Sequence, residues 1–199
     1  MQLSIVSVNV GGPQVLRKLK TKTIYSSIDK HPVVSSKELL LTYTNLAGDQ
    51  QVDTKPKELG RQLHGGNEKA VYVYPATHYG TWRKELGLDL PVPSFGENLT
   101  LDGIAEDEVH IGDMWQWGEA LFEVSKPRQP CYKLKWQLGV EDIEDLMWTN
   151  GRCGWYLRVL TPGIVPTSGN VEVIYKNTHA MTVVDALREK EKKNRKSQS

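Results

Sequence analysis

Short runs of apolar residues, bounded by glycine, proline, asparagine or aspartate, recur along most of the chain. They are rich in valine, isoleucine, tyrosine and tryptophan, and several alternate with polar residues, a pattern typical of β-strands. The pattern predicts strands at residues 2–10, 22–28, 39–46, 70–75, 107–117, 120–127, 154–163 and 170–176. Gly118 and Glu119, between two of these runs, predict a hairpin.

Helical spacing of apolar residues is less frequent. It predicts three short helices, at residues 75–87, 140–151 and 182–193. Gly87 and Gly151 are placed as C-terminal caps of the first two, and Thr182 as the N-terminal cap of the third. Many strands with few helices predict a mainly β (α+β) fold, a β-barrel with a few short peripheral helices. We assign residues 1–176 to this barrel and residues 177–199 to a short C-terminal helix with a basic tail.

Length and composition narrow the class of protein. The 199 residues suffice for one domain with a hydrophobic core, and 39% hydrophobic and 25% charged residues are ordinary for a globular protein. The formal net charge of +1 gives no sign of a nucleic-acid partner. No apolar run is long enough to span a membrane, and the first residues lack the pattern of a signal peptide. We therefore expect a cytoplasmic protein without a membrane partner.

Cys131 lies in an unusual setting. Of the two cysteines, Cys131 and Cys153, it alone follows a pair of nearby prolines, Pro127 and Pro130, and lies close to Arg128 and Lys133. Positive charge lowers the pKa of a thiol, and Pro130 stiffens the backbone around it. An inert buried cysteine is the ordinary alternative, and a functional thiolate serves equally well as a soft metal ligand or as a nucleophile.

Three further polar segments contain glycine, and each alone is most simply a turn. A glycine pair lets a ligand approach backbone N–H groups, and neighbouring polar side chains offer hydrogen bonds. The candidates in these segments are Asp49; His64, Gly65, Gly66 and Lys69; and Gly96, Glu97 and Asn98.

The order of these segments along one chain resembles the MOSC family, the domain related to the C-terminus of molybdenum-cofactor sulfurases. More narrowly, it is similar to the bacterial stand-alone branch typified by 6-N-hydroxylaminopurine resistance proteins. The segments that carry the resemblance are residues 48–53, 64–75, 95–99 and 111–134. The likeness extends from about residue 22 to residue 174, and the Pro-Arg-x-Pro-Cys-x-Lys-Leu stretch is its most specific part.

The resemblance implies a MOSC-type β-barrel that binds the molybdenum cofactor. Cys131 matches the family's characteristic cysteine, which implies that it ligates molybdenum and is the catalytic residue. The residues that match the cofactor pocket are Ser27, Lys30, Asp49, His64, Gly65, Gly66, Lys69, Gly96, Glu97, Asn98, Arg128 and Lys133. Arg128 and Lys133 are expected to contact the anionic side of the cofactor, because guanidinium groups bind phosphate well.

The implied activity is reduction of N-hydroxylated small molecules, such as N-hydroxylated purines and hydroxylamines. The chain has no cysteine cluster for an iron–sulfur centre and no room for a pyridoxal-phosphate domain, so the electrons would come from a separate flavoprotein or iron–sulfur protein. Two alternatives compete: a non-catalytic carrier of the cofactor or of a Cys131 persulfide, and a barrel whose pocket has lost its ligand. Compared with longer relatives, only about 25 residues follow residue 176 here.

Overall fold

The computed structural model describes residues 1–52 and 65–196. The first six strands are β1 (Gln2–Val10), β2 (Gln14–Lys18), β3 (Thr23–Ser26), β4 (His31–Pro32), β5 (Glu38–Leu41) and β6 (Val71–Pro75). The next six are β7 (Leu99–Asp102), β8 (Met114–Trp117), β9 (Ala120–Pro127), β10 (Trp155–Thr161), β11 (Gly163–Pro166) and β12 (Asn170–Tyr175). The helices are α1 (Thr77–Leu86), α2 (Lys133–Leu138), α3 (Ile143–Asn150) and α4 (Val183–Lys196), with a 3₁₀ turn at Asn67–Lys69.

Seven of these strands close into a barrel in the order β12-β8-β9-β10-β6-β7-β1. The first strand closes it by pairing antiparallel with the last, with Leu3 opposite Val171. The pair β6–β7 is parallel, and the other neighbours in the barrel are antiparallel. The predicted hairpin is β8–β9, in which Trp117 faces Ala120. The prediction of a mainly β fold with a barrel and short peripheral helices is confirmed.

Large aromatic side chains fill the inside of the barrel. Trp115, Trp117, Phe122 and Trp155 are completely buried, and the rings of Trp115 and Trp155 meet edge to face with their centroids 5.8 Å apart. A second apolar cluster lies outside the barrel, under the helices, and contains Tyr74, Trp82, Phe95, Met147 and Leu187 among its members. The barrel is therefore a packed core, and a ligand has to bind on its outside or at its ends.

The predicted helix ends are present. Gly87 and Gly151 have φ values of 64° and 81°, in the left-handed region that glycine adopts readily. The hydroxyl of Thr182 accepts a hydrogen bond from the N–H of Asp185 at 3.2 Å and caps α4. None of the helices in the described part of the chain is long and apolar enough to cross a membrane.

Two predicted strand boundaries were wrong, and the strand β7 was missed. The predicted strand at 107–117 is extended only from Met114, because Asp113 folds the preceding residues into a turn: its carboxylate accepts hydrogen bonds from the N–H groups of His110 (2.9 Å) and Asn177 (2.7 Å). The predicted strand at 39–46 ends at Leu41. Residues 99–102, after the Gly-Glu-Asn turn, form β7, which the sequence did not predict.

Candidate functional site

Cys131 lies in the short connection between β9 and α2. The N–H of Arg128 donates to the carbonyl of Gly154 at 3.0 Å and extends the β9–β10 pairing one residue beyond the end of β9. The N–H of Leu134 donates to the carbonyl of Cys131 at 2.9 Å and starts the first turn of α2. Cys131 is thus fixed between a barrel strand and a helix, and its side chain is partly exposed.

The Arg128 guanidinium is buried directly behind this connection. It lies over the ring of Tyr72, with 5.3 Å from Cζ to the ring centroid, and Nη1 is 3.9 Å from Sδ of Met147. Burial raises the pKa of Tyr156, and the charge and hydrogen bond of Arg128 oppose that rise. The guanidinium also interacts electrostatically with the Cys131 thiol. The side chains of Tyr72 and Tyr156 therefore hold one permanent positive charge close to the cysteine.

Lys69 reaches the same region from the 3₁₀ turn. Its ammonium is 6.0 Å from the centroid of the Tyr156 ring and interacts electrostatically with Cys131. Burial lowers the pKa of Lys69, the charges of Lys126 and Lys190 lower it further, and Cys131 raises it. Two of the predicted cationic residues, Arg128 and Lys69, thus both interact with Tyr156 and with Cys131.

Lys133 connects the start of α2 to β3, and Ser27 follows β3 directly. Nζ of Lys133, which is buried, donates to the backbone carbonyl of Tyr25 at 3.1 Å. Ser27 is also buried, and among the described residues its hydroxyl has no hydrogen-bond partner. A buried hydroxyl without a partner is unfavourable, and this one is available to a ligand.

Lys30 and Asp49 form a buried ion pair that joins two loops at the same end of the barrel. Oδ1 of Asp49 also accepts from the N–H of Gly11 at 2.9 Å, and Nδ2 of Asn45 donates to the carbonyl of Asp49 at 2.6 Å. The hydrogen bonds of Asp49 hold these loops together. Because Lys30 and Asp49 neutralise each other, the pair adds no net charge.

The glycine pair lies between the Asp49 loop and Lys69. Gly65 and Gly66 have φ values of 73° and 87°, and the N–H of Gly66 donates to Oε1 of Gln51 at 2.7 Å. Nε2 of Gln51 donates to the carbonyl of Lys69 at 3.3 Å. His64, which the sequence also assigns to the pocket, lies outside the described residues.

The Gly-Glu-Asn turn packs under the Ser27 segment. Gly96 has a φ of 82°, and a Cβ there would lie 2.7 Å from Cγ1 of Ile28, so only glycine permits this close approach. Glu97 is completely buried, and burial raises the pKa of its carboxyl. Its oxygens accept hydrogen bonds from the hydroxyl of Tyr79, the N–H of Phe95 (3.0 Å) and the hydroxyl of Thr100 (3.1 Å).

Asn98 joins three strands through both ends of its amide. Its Oδ1 accepts from the N–H of Tyr72 at 3.1 Å, and its Nδ2 donates to the carbonyl of Asn9 at 3.3 Å. The polar groups of Glu97 and Asn98 thus bind other parts of the fold, and they form the base on which the loops of the site rest. Their contact with a cofactor remains a prediction.

Sequence reasoning missed Tyr72 and Tyr156, which position Arg128. Tyr156 faces Tyr72 on one neighbouring strand and Lys126 on the other, so the three residues form a row on the outside of the barrel. The alternation of β10 marks Tyr156 as outward-facing, but only the strand register shows that Tyr72 and Lys126 are its neighbours.

The site offers one soft ligand to a metal. Within residues 1–52 and 65–196, no three histidine, cysteine, aspartate or glutamate side chains converge in a way that could hold a metal ion. A cavity of about 420 Å³ lies beside Lys30, lined by residues 29–32, 88–94, 137 and 138, and does not include Cys131. A metal at Cys131 would therefore need most of its ligands from a cofactor.

Comparison with known proteins identifies the family. The MOSC domain matches residues 60–172. Protein YiiM of Escherichia coli is 41% identical over 140 residues, which are 69% of this chain and 59% of YiiM. The uncharacterized protein YflK of Bacillus subtilis is 39% identical over 185 residues, which are 93% of this chain and 79% of YflK.

Solved structures agree with this result. The crystal structure of YiiM from Geobacillus stearothermophilus superposes with a TM-score of 0.73 at 29% identity, over 94% of this chain and 82% of that one. YiiM from Escherichia coli gives a TM-score of 0.69 at 31% identity, over 93% and 75%. A protein of Gibberella moniliformis named "Reductase" is 30% identical over 84% of this chain and 28% of its own length. The chain therefore belongs to the MOSC domain family, as its motifs and their order predicted.

Proposed function

We propose that this protein binds the molybdenum cofactor at Cys131 and reduces N-hydroxylated small molecules with electrons from a separate redox protein. The observation that carries the proposal is the partly exposed Cys131 thiol held close to the buried Arg128 guanidinium. Membership of the MOSC domain family supports the cofactor, and the relative named "Reductase" supports the reaction class.

The residues present fit such a cofactor. A thiolate is the ligand type that a redox-active, thiophilic metal prefers, and the shortage of other protein ligands suits a metal that arrives with sulfur ligands of its own. Arg128 and Lys69 supply positive charge for an anionic group. The buried hydroxyl of Ser27 adds a hydrogen-bonding group that has no partner among the described residues.

Each of these residues has a definite task in this proposal. Arg128 supplies a permanent positive charge that interacts with Cys131 and with an anionic group bound beside it. Lys133 ties the first turn of α2 to β3 and so keeps Cys131 in one position. When bound, the cofactor supplies the two-electron chemistry that cleaves an N–O bond, and a flavoprotein or iron–sulfur protein supplies the electrons.

Metal and pterin content test the proposal directly. Protein isolated from a host that makes the cofactor should contain molybdenum, Cys131→Ser should lose it while remaining folded, and Cys153→Ser should retain it. The same preparations should turn over a hydroxylamine with an artificial electron donor. Undiminished molybdenum in Cys131→Ser would contradict the ligand assignment. Stoichiometric release of cofactor to an apo-enzyme, without turnover, would show that the protein is a cofactor carrier and not a reductase.

A further inference from the structure

The β2–β3 hairpin stands apart from the packed parts of the molecule. In the described part of the chain its strands pair only with each other, and none of its side chains belongs to either apolar cluster. A two-stranded hairpin alone is marginally stable in water, so this one depends on contacts with another element. Cζ of Arg17 is 5.2 Å from the centroid of the Trp136 ring, and Nζ of Lys133 donates to the carbonyl of Tyr25 at 3.1 Å. The hairpin is thus attached to α2, the helix that begins two residues after Cys131.

The hairpin and α2 expose large apolar side chains. Val15 and Tyr25 lie opposite each other in the strand register, so their side chains share one face of the hairpin. They are 48% and 53% exposed, and Leu19, after β2, is 46% exposed. Tyr132 is also 46% exposed, and its ring meets the ring of Trp136 edge to face with the centroids 5.3 Å apart. Exposed aromatic and aliphatic side chains grouped beside a functional site are typical of a protein contact surface.

The same hairpin concentrates positive charge. The first 28 residues contain no aspartate or glutamate, and their four cationic residues are all exposed: Arg17, Lys18, Lys20 and Lys22. Among the described residues, no carboxylate oxygen lies within 4.0 Å of the charged nitrogens of these four side chains. Since the whole chain has a formal net charge of only +1, this charge is a local property of the surface. We call the four cations, together with four apolar residues, the hairpin face; the apolar residues are Val15, Leu19, Tyr25 and Tyr132.

We propose that the hairpin face docks an acidic redox protein that delivers electrons to the Cys131 site. Opposite charges on two protein surfaces accelerate their encounter, and the apolar side chains suit the small interfaces of transient electron-transfer pairs. A protein docked there would lie beside the cysteine loop, because Lys133 ties β3 to the start of α2. The inference rests on the proposed function for the redox character of the partner. Two electrons from that partner and two protons from solvent would convert a hydroxylamine into an amine and water.

Two other occupants fit the hairpin face less well. In a two-fold dimer the same surface faces itself, so the cations of one copy would lie against those of the other. A nucleic acid would bind the cations through its phosphates, but Val15 and Leu19 offer no hydrogen bond to a phosphate or a sugar. The combination of cations and aliphatic side chains favours an acidic protein.

The test compares two triple variants with the same change in net charge. The hairpin variant keeps Arg17, which holds the hairpin on Trp136, and replaces three exposed lysines: Lys18→Glu, Lys20→Glu and Lys22→Glu. The control variant replaces three exposed lysines elsewhere on the molecule: Lys37→Glu, Lys84→Glu and Lys176→Glu. Thermal unfolding of both variants verifies that they are folded.

Binding is measured by adding a flavodoxin, a small acidic flavoprotein, to the isotopically labelled full chain and recording amide NMR spectra. We expect the signals of residues 15–25 and 132–136 to shift. The dissociation constant should rise roughly tenfold or more in the hairpin variant, stay unchanged in the control variant, and increase with ionic strength. Absence of binding, or equal binding by the two variants, would overturn the inference. A dimer, or binding of a single-stranded oligonucleotide instead of flavodoxin, that only the hairpin variant loses would overturn it as well.

Hydroxylamine turnover distinguishes this inference from the proposed function. With reduced flavodoxin as the limiting donor, the rate should fall roughly tenfold or more in the hairpin variant, whereas with reduced methyl viologen it should not fall. Turnover with viologen in the absence of hairpin-dependent flavodoxin binding would contradict the docking surface alone. Hairpin-dependent binding of flavodoxin by a protein that contains no molybdenum and reduces no hydroxylamine would contradict the proposed function alone.

Discussion

The two cysteines should differ strongly in their reactivity toward a thiol reagent. Cys153 is completely buried, and its thiol donates to the carbonyl of Met147 at 3.3 Å. Burial raises the pKa of Cys153 to about 12, although Arg128 acts in the opposite direction. Cys131 is partly exposed. In native protein we therefore expect one thiol per chain to react rapidly, and this thiol to be Cys131.

The size of the difference follows from the fraction of thiolate, which is the reactive form. With a pKa of about 12, about 10⁻⁴ of Cys153 is ionised at pH 8, compared with about a quarter of an unfolded cysteine with a pKa of about 8.5. Ionisation alone thus slows Cys153 roughly two-thousandfold relative to the unfolded chain, and burial slows it further.

The assay is the release of thionitrobenzoate from Ellman's reagent at pH 8, followed in time. Native protein should release one equivalent rapidly and the second only after denaturant is added. Cys153→Ser should keep the rapid equivalent, and Cys131→Ser should lose it. Rapid release of two equivalents from native protein, or of one from Cys131→Ser, would refute the assignment of Cys131 as the accessible thiol.

Three further predictions concern the support of the site. Glu97→Gln should lower the free energy of unfolding by about 1–3 kcal/mol in urea titrations, because an amide cannot accept all of the hydrogen bonds that the carboxylate accepts. Burial raises the pKa of Glu97 in the folded state, so protonation of Glu97 stabilises the fold. This stabilisation is complete below the pKa of an unfolded glutamate, about 4.3, and is lost as the pH rises through the folded-state pKa. Glu97→Gln should lack this pH dependence of stability. Asp49→Ala should lower the free energy of unfolding by about 3–5 kcal/mol, because it leaves the buried ammonium of Lys30 without its carboxylate. Adding Lys30→Met should recover part of this loss. Equal destabilisation of the single and the double variant in thermal unfolding would contradict the coupling of the two residues. Gly154→Ala should reduce the yield of folded protein, because φ is 67° and the new Cβ would lie 2.2 Å from a backbone oxygen of β6. The control Gly139→Ala, at φ 70° in open space, should cost only the backbone strain of about 1–2 kcal/mol. Equal stability of the two variants would show that the close approach of Gly154 to β6 does not determine stability.

Local pattern was sufficient to predict most of the barrel but not the elements beside the motifs. Strands such as β9 and β12 alternate clearly and end at proline or polar residues, so their predicted bounds nearly match the structure. The strand β7 was missed because the Gly-Glu-Asn turn before it dominates the local signal. Likewise, α2 has only six residues and follows a proline-rich loop, which leaves too little periodicity to detect.

The motifs named candidate residues for the site but did not show the contacts among them. The motifs identified Cys131 and Arg128, and the structure places them together with Lys69 around Tyr156. The buried role of Glu97 could not be inferred, because one of its hydrogen-bond donors, the hydroxyl of Tyr79, is 18 residues away on α1. Pairings at long separation depend on the strand order, which a single sequence does not specify.

The pairing of β1 with β12 sets the order of events during synthesis of the protein. Leu3 is synthesised 168 residues before its partner Val171. Until then β1 can pair with β7 but not with β12, and the barrel is open. A ligand that needs the closed barrel can therefore be bound only after β12 has been made.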